Sequence, residues 1–218
     1  MLKLENVSYR YKKGDRDVLS DINVTFENNK FTSIVGPSGS GKTTLLSIMA
    51  GLDKPTGGDV MVDGDSLSKI NLDAYRRERI SIVFQAFQLF PLLTALENVC
   101  YPMEISGATP KYAAERAAEL LNSVGIDDSK HKRYPSNLSG GEQQRIAIAR
   151  ALSTNANVIL ADEPTGNLDK DNGDAVVDIL KKLAHEQGYC VVIVTHNQEI
   201  ADASDAVYRI SDGKIFSV

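Results

Sequence analysis

The sequence predicts an α/β fold: a mostly parallel sheet covered on both faces, carrying an N-terminal antiparallel β subdomain and an inserted α-helical subdomain. Three observations predict it. Short apolar runs alternate with helix-period segments through the second half, the pattern of strands joined by crossover helices. The first residues instead alternate apolar and polar, as an antiparallel sheet does. Between about residues 88 and 150 strand character disappears and helix signals take over. The 218 residues are therefore expected to form one domain, 1–218, with 1–87 and 151–218 building the β subdomain and core.

Each element follows in order. Leu2, Leu4 and Val7 mark one strand and Ile22, Val24 and Phe26 a second, joined by a polar turn from Lys12 to Asp17. Phe31 to Val35 is a short apolar run that stops at Gly36, as a buried parallel strand does. Thr43 to Ala50 reads as a helix closed by Gly51, GGDVMVDG as a hairpin, and Ile80 to Phe84 as another strand. Thr94 and Glu97 have capping-box spacing and open a helix. Thr109 and Pro110 open the next, in which Ala113, Ala117, Leu120, Leu121 and Val124 recur at helical spacing before Gly125. Val158 to Ala161, a helix from about Asn172 to Gln187, Cys190 to Val194, a short helix, and Ala206 to Ile210 before an Asp212-Gly213 turn complete the chain.

Composition narrows the function. Lys and Arg number 24 against 29 Asp and Glu, so the net charge of −5 disfavours global attraction to nucleic acid or an anionic membrane. Any polyanion must be held by local geometry. The longest uncharged run, Ile80 to Leu96, contains Ser81, Gln85, Gln88, Pro91 and Thr94 and is too short for the roughly 20 apolar residues of a membrane span. The N-terminal text, MLKLENVSYRYKKG, lacks the apolar region of a secretion signal. Cys100 and Cys190 are too few for a disulfide framework, and a reducing cytoplasm is expected.

Gly36-Pro37-Ser38-Gly39-Ser40-Gly41-Lys42-Thr43 lies between an expected strand and an expected helix and matches GxxxxGK[ST]. Gly39 and Gly41 let the backbone curl so that successive N–H groups face phosphate oxygens, and the helix adds its positive end. Lys42 is expected at the β- and γ-phosphates, with the Thr43 hydroxyl on Mg²⁺. Downstream, VILADE ends an apolar strand in Asp162 and Glu163. Ligands bind at the carboxyl ends of such strands, so Asp162 is expected to hold the metal and Glu163 to orient the attacking water. The strand YCVVIVTH ends in His196, which could serve the γ-phosphate and Glu163 or could be structural; periodicity alone leaves both open.

Asn137-Leu138-Ser139-Gly140-Gly141-Glu142-Gln143-Gln144-Arg145 resembles the LSGGQ-like signature of the ATP-binding-cassette superfamily. With the phosphate loop, Gln85, Asp162-Glu163, the Gly166-to-Asp169 loop and His196, every diagnostic motif stands in order across essentially the whole chain. The resemblance implies a P-loop NTPase (RecA-like) core and a nucleotide-binding transporter subunit using ATP and Mg²⁺. Ser139 and Glu142 also have capping-box spacing, and a helix start with two glycines is itself suited to an anion.

Further roles come from the resemblance alone. It implies that Tyr11 stacks on adenine, with Tyr9 its nearby competitor. It gives Pro37, Ser38, Ser40 and Thr44 to the ATP site with the rest of the phosphate loop. Gln85 contacts Mg²⁺ or water and senses a membrane partner. Ser139, Gly140 and Gly141 reach the γ-phosphate on the opposite protomer of a head-to-tail homodimer formed with ATP, and Asp169 links the two sites. Lys42, Glu163 and His196 are all present, so a competent ATPase is expected. After Gln85, the residues Phe87, Leu89, Phe90 and Leu92 are candidates for an apolar contact with the permease, although about half of that run is expected to be lobe core.

The texts FQAFQLFPLLTALENV, PTGNLD and THNQEIADASD resemble the macrolide-exporter and lipoprotein-release branch. That branch implies a separate integral-membrane permease with a large extracellular domain, and a peripheral location on the cytoplasmic face of the membrane. The chain's end at Val218 is expected to leave no room for a regulatory domain or fused permease. Transport of peptides, lipoproteins or hydrophobic antibiotics is the leading expectation. A regulatory ATPase driving a membrane partner that controls a cell-wall enzyme or sensor is the alternative. A cassette acting on nucleic acid is disfavoured by the acidic charge.

Overall fold

A computed structural model describes residues 1–12 and 16–218; half of the expected Lys12–Asp17 turn, residues 13–15, lies outside the described residues. Along the chain run β1 (Leu2–Tyr9), β2 (Leu19–Phe26), β3 (Lys30–Val35), α1 (Lys42–Met49), β4 (Gly57–Val62) and β5 (Asp65–Ser66). Then follow α2 (Leu72–Glu78), β6 (Ile80–Phe84), α3 (Ala95–Ile105), α4 (Pro110–Ser123), α5 (Gly140–Leu152) and β7 (Val158–Asp162). The chain finishes with α6 (Lys170–Gln187), β8 (Cys190–Val194), α7 (Gln198–Asp202), β9 (Ala206–Ser211) and β10 (Lys214–Ser217).

The strands form two sheets. An antiparallel sheet has the order β2-β1-β4-β5, and a larger one the order β10-β9-β3-β8-β7-β6. In the larger sheet β9, β3, β8, β7 and β6 are parallel, and β10 pairs antiparallel at the edge. The apolar phase of β1 switches from Leu2 and Leu4 to Val7 and Tyr9. A two-residue period cannot do this without an irregularity, and the β1–β2 register shifts between Leu4 and Val7. There Asn6 adopts φ 50° and Asp21 φ 52°, and Asn6 Nδ2 donates to Asp21 Oδ1 at 2.8 Å.

Strand period divides the core. On β7 and β8, Val158, Leu160, Cys190, Val192 and Val194 face α1 and the antiparallel sheet. Ile159, Ala161, Val191 and Ile193 face the opposite way, into a core shared with α3, α4, α5 and α6. A strand buried on both faces reads as a continuous apolar run, which is why these were legible as parallel strands. Each fully buried aliphatic side chain contributes roughly 1.5–3 kcal/mol.

Helix ends obey their local chemistry. Thr94 and Ser139 close capping boxes with Glu97 and Glu142, Thr109 caps α4, and Asp169 caps α6, which ends at Gly188 in the left-handed region. Helix α2 was not expected from periodicity, because Tyr75 is its only buried residue. Its cues are electrostatic: an Asn71 cap, Asp73 in the first turn, and Arg76 and Arg77 in the last. Strand β10 was likewise not expected; it completes a hairpin through the Asp212-Gly213 turn.

Candidate nucleotide site

The register of the parallel sheet assembles the site. Ile34 on β3 lies beside Val194 on β8, Val194 beside Asp162 on β7, and Asp162 beside Phe84 on β6. Four strands therefore end almost level. The residues that follow, Gly36, His196, Glu163 and Gln85, emerge along one edge of the sheet. This is the carboxyl edge where open α/β sheets bind ligands.

A cleft of about 570 Å³ opens there, lined by the phosphate loop apart from the buried Ser40, with Thr44, Tyr11, Val18, Asp162, Glu163, Val194 and His196. Gly39 and Gly41 hold φ of 77° and 105°, conformations that side chains with a Cβ rarely adopt. Gly41 leads into α1, and Leu45 N donates to its carbonyl at 2.8 Å. Lys42 Nζ crosses the mouth of the loop and donates to Gly36 O at 2.8 Å and Pro37 O at 2.9 Å. Ser40 is buried and its Oγ has no hydrogen-bond partner.

Asp162 is half-buried, and burial first, then the Glu163 charge, raises its pKa; hydrogen bonding from Thr43 and the charge of Lys42 pull the other way. Glu163 follows in the left-handed region at φ 46°, and its N–H donates to Val194 O at 2.9 Å. A non-glycine residue held there is conformationally costly, and such residues cluster at functional sites. The turn presents the Glu163 carboxylate to His196, with Nδ1 2.9 Å from Oε1. Tyr11 is exposed and places its hydroxyl 3.0 Å from Thr44 Oγ1, while Tyr9 is buried against it edge-on at 5.0 Å. Of the two tyrosines, only Tyr11 has a face free for a ligand.

The remaining expected residues lie elsewhere. Gln85 does not line the cleft: its Nε2 donates to Asn167 Oδ1 at 3.2 Å, and its carbonyl accepts from Asn167 Nδ2 at 3.1 Å. β6 is three strands from β3, roughly 14 Å at ordinary strand spacing, which accounts for the gap. Ser139, Gly140, Gly141 and Asp169 are also absent from the cleft lining. Ser139 is exposed at the start of α5, and its Oγ accepts from Glu142 N, leaving the hydroxyl hydrogen free. Gly141 is buried against Asn172. Asp169 Oδ1 accepts from Asn172 N at 2.9 Å, and Asn172 Nδ2 donates to both Asp169 carboxylate oxygens, at 3.0 and 2.9 Å.

The run after Gln85 divides as its burial dictates. Leu89 packs on the helical core and Phe87 is half-buried, whereas Phe90 and Leu92 are 42% and 86% exposed. Phe87 and Gln88 are consecutive left-handed residues, and Arg150 holds their carbonyls at 3.1 and 2.6 Å. Asn98, fully buried, binds Phe90 through both its N–H and its carbonyl. Tyr101 and Ile105, one helical turn apart on α3, extend the exposed apolar surface. Sequence reading missed Asn98, Arg150 and this pair, and it named Asn167 only as part of the Gly166-to-Asp169 loop, without its bond to Gln85; only the spacing of Tyr101 and Ile105 carried a signal.

Comparisons with known proteins identify the family. The family model for the ABC transporter matches residues 19–166. The ABC transporter ATP-binding protein YclH of Bacillus subtilis is 44% identical over 213 residues, covering 98% of this chain and 94% of that protein. The macrolide export ATP-binding/permease protein MacB of Bartonella henselae is 45% identical over 222 residues, covering all of this chain but 33% of that protein. Among solved structures, the dimeric post-hydrolysis state of the ATP-binding cassette MJ0796 bound to ADP and Pi superposes with a TM-score of 0.89 at 41% identity, covering 99% of this chain and 96% of that one. The loop, the strand-end carboxylates and the signature helix thus stand together in a chain that belongs to the ABC transporter family, as an ATP-binding subunit with ATPase activity.

Proposed function

We propose that two copies of this chain close head to tail on two Mg-ATP molecules, hydrolyse them, and so drive a separate integral-membrane permease. The observation that carries this reading is a separation within one chain. The phosphate loop, Asp162, Glu163 and His196 share a cleft, while among the described residues Ser139, Gly140, Gly141 and Asp169 lie outside it. A second chain supplies the missing half. The relative solved with ADP and Pi is dimeric, which supports the same arrangement.

In this reading the loop N–H groups and Lys42 hold the β- and γ-phosphates, and Tyr11 offers its ring to adenine. The Thr43 hydroxyl and the half-buried Asp162 carboxylate form an oxygen-only donor pair, and the unpartnered Ser40 Oγ lies in the same loop. No cluster of three or more His, Cys, Asp and Glu forms a cage among the described residues. That donor set fits Mg²⁺, which takes one or two carboxylates and completes its shell with phosphates and water. Bound there, Mg²⁺ supplies charge neutralisation at the phosphate oxygens. Glu163 polarises the water that attacks the γ-phosphorus as the bond to the bridging oxygen breaks. His196 Nδ1 holds the Glu163 carboxylate and leaves Nε2 for a γ-phosphate oxygen. Gln85, on its own strand end beside Asn167, reaches the site when the permease and partner close it.

The helical subdomain, about 88–150, presents Phe90 and Leu92 to the permease. No helix among the described residues is long and apolar enough to cross a membrane. A peripheral position on the cytoplasmic face, through a permease with an extracellular domain, follows from the export branch. The name of the MacB relative joins an ATP-binding part to a permease and to macrolide export, which supports hydrophobic antibiotics as cargo; peptides and lipoproteins rest on the sequence resemblance alone.

Ser139→Arg tests the shared site. The variant is expected to bind Mg-ATP as tightly as the parent, through its own phosphate loop, yet to release phosphate at least about a hundredfold more slowly. Normal turnover in that variant would show that the signature does not complete the site.

A further inference from the structure

The signature of this chain carries a negative charge where an anion is to dock. Glu142 sits at the third position of α5, one turn from Ser139, and its Oε2 accepts from Ser139 N at 2.7 Å. A carboxylate there stabilises the helix through its dipole. The same carboxylate repels any phosphate approaching the same turn. At separations of several ångströms and an interfacial effective dielectric, one unpaired charge changes binding of a polyphosphate by about tenfold or more.

The chain answers this charge from outside the helix. Lys130, in the short turn that ends at His131, places Nζ 3.0 Å from Glu142 Oε1. Its other partner is Asp127 at 3.2 Å, which caps that turn and is bound to Ser129 as well. Glu142 is the more enclosed member of the pair, at 15% side-chain exposure against 27% for Lys130. Its pKa is lowered: burial pushes it up, but Ser139 N–H and Lys130 outweigh burial and keep it ionised. Both carboxylate oxygens are thus engaged, one by the helix start and one by the lysine.

We propose that Lys130 is a positioning residue for the signature: it neutralises Glu142 and fixes its carboxylate on the Ser139 N–H, so that the start of α5 can meet the partner's γ-phosphate. This rests on the reading that Ser139 and Gly141 complete the partner's site. Lys130 touches no nucleotide in this account. It acts through Glu142, and a chain with an uncharged glutamine at 142 would not need it, because Gln also closes a capping box.

A double-mutant cycle tests the inference in the Glu163→Gln background, which is expected to hold Mg-ATP with little turnover. The concentration of Mg-ATP giving half-maximal dimer is read by light scattering for the parent, Lys130→Met, Glu142→Gln and the double variant. Lys130→Met is expected to raise that concentration about tenfold, more at low salt than at high, because it leaves an unpaired charge. In the double variant the effect is expected to shrink to within about twofold of Glu142→Gln alone, since coupled charges are non-additive. Binding of a fluorescent ATP analogue to the Lys130→Met monomer is expected to be unchanged. If Lys130→Met alters nothing, or is as damaging with glutamine at 142 as with glutamate, Lys130 serves only to hold its turn and the inference falls. If the parent itself fails to dimerise with Mg-ATP, the shared-site reading falls first and takes this one with it.

Discussion

Gly141 is expected to be required by the chain's own packing before any nucleotide arrives. A Cβ at this position would lie 2.1 Å from Asn172 Oδ1, 2.4 Å from its Cγ and 2.8 Å from its Cβ. Moving the amide alone does not clear the last contact, so Gly141→Ala must displace the whole Asn172 side chain. The displacement breaks the bonds from Asn172 Nδ2 to Asp169 and the 3.3 Å bond from Arg145 to Asn172 Oδ1. These are half-exposed bonds to charged partners, and their loss costs about 2–3 kcal/mol in sum. Replacing glycine by alanine in a helix returns up to about 1 kcal/mol. The net destabilisation is about 1–2 kcal/mol, a fall in Tm of roughly 3–6 °C for a chain of this size. Thermal and urea unfolding of the nucleotide-free subunit measure it directly. Asn172→Ala removes the obstacle, so the double variant should be no less stable than Asn172→Ala alone, a coupling of about 1–2 kcal/mol. If Gly141→Ala leaves unfolding unchanged, or if the two losses simply add, the close contact with Asn172 does not explain the glycine.

Two further outcomes follow from the site and the patch. Asp162 titrates above the ordinary aspartate range in the folded chain, first through burial and then through Glu163. Its ionisation therefore opposes folding: stability falls as pH rises from the unfolded to the folded pKa, and the whole penalty is present above the latter. Asp162→Asn should raise Tm in the nucleotide-free chain near pH 7, and calorimetry should find no such gain well below about pH 4, where both states are protonated; an asparagine variant no more stable at neutral pH contradicts this. At the apolar patch, the Phe90 ring contacts Tyr101 at 5.0 Å and Arg150 at 5.9 Å but remains 42% exposed. Phe90→Glu should cost the fold only about 1 kcal/mol. It should reduce co-purification with the permease about tenfold or more while ATP binding persists. Loss of ATP binding would identify Phe90 as a core residue instead.

What could be read in the sequence was what depends on near neighbours in the chain. The phosphate loop needs its glycines within one turn. Caps at Thr94, Thr109 and Ser139 act over three residues, and the doubly buried strands are apolar throughout. Three features depend on distant partners and were not legible. The sequence leaves His196 open between Glu163 and a structural role; the strand register decides for Glu163 and keeps Gln85 beside Asn167. Leu89 and Leu92 look alike in a segment without period, yet one packs on the core and the other is 86% exposed. Lys130 and Glu142 are ordinary charges until the turn and the helix fold together. Helix α2 was missed for another reason: its caps and charges outweigh a single buried tyrosine.

Light scattering of Glu163→Gln, titrated with Mg-ATP and with Mg-ADP, tests the central claim most directly. If the cleft of one chain is completed by the signature of another, Mg-ATP should double the mass of the variant and Mg-ADP should leave it single. A variant that binds Mg-ATP and remains a monomer, alone and with its permease, would contradict the shared site.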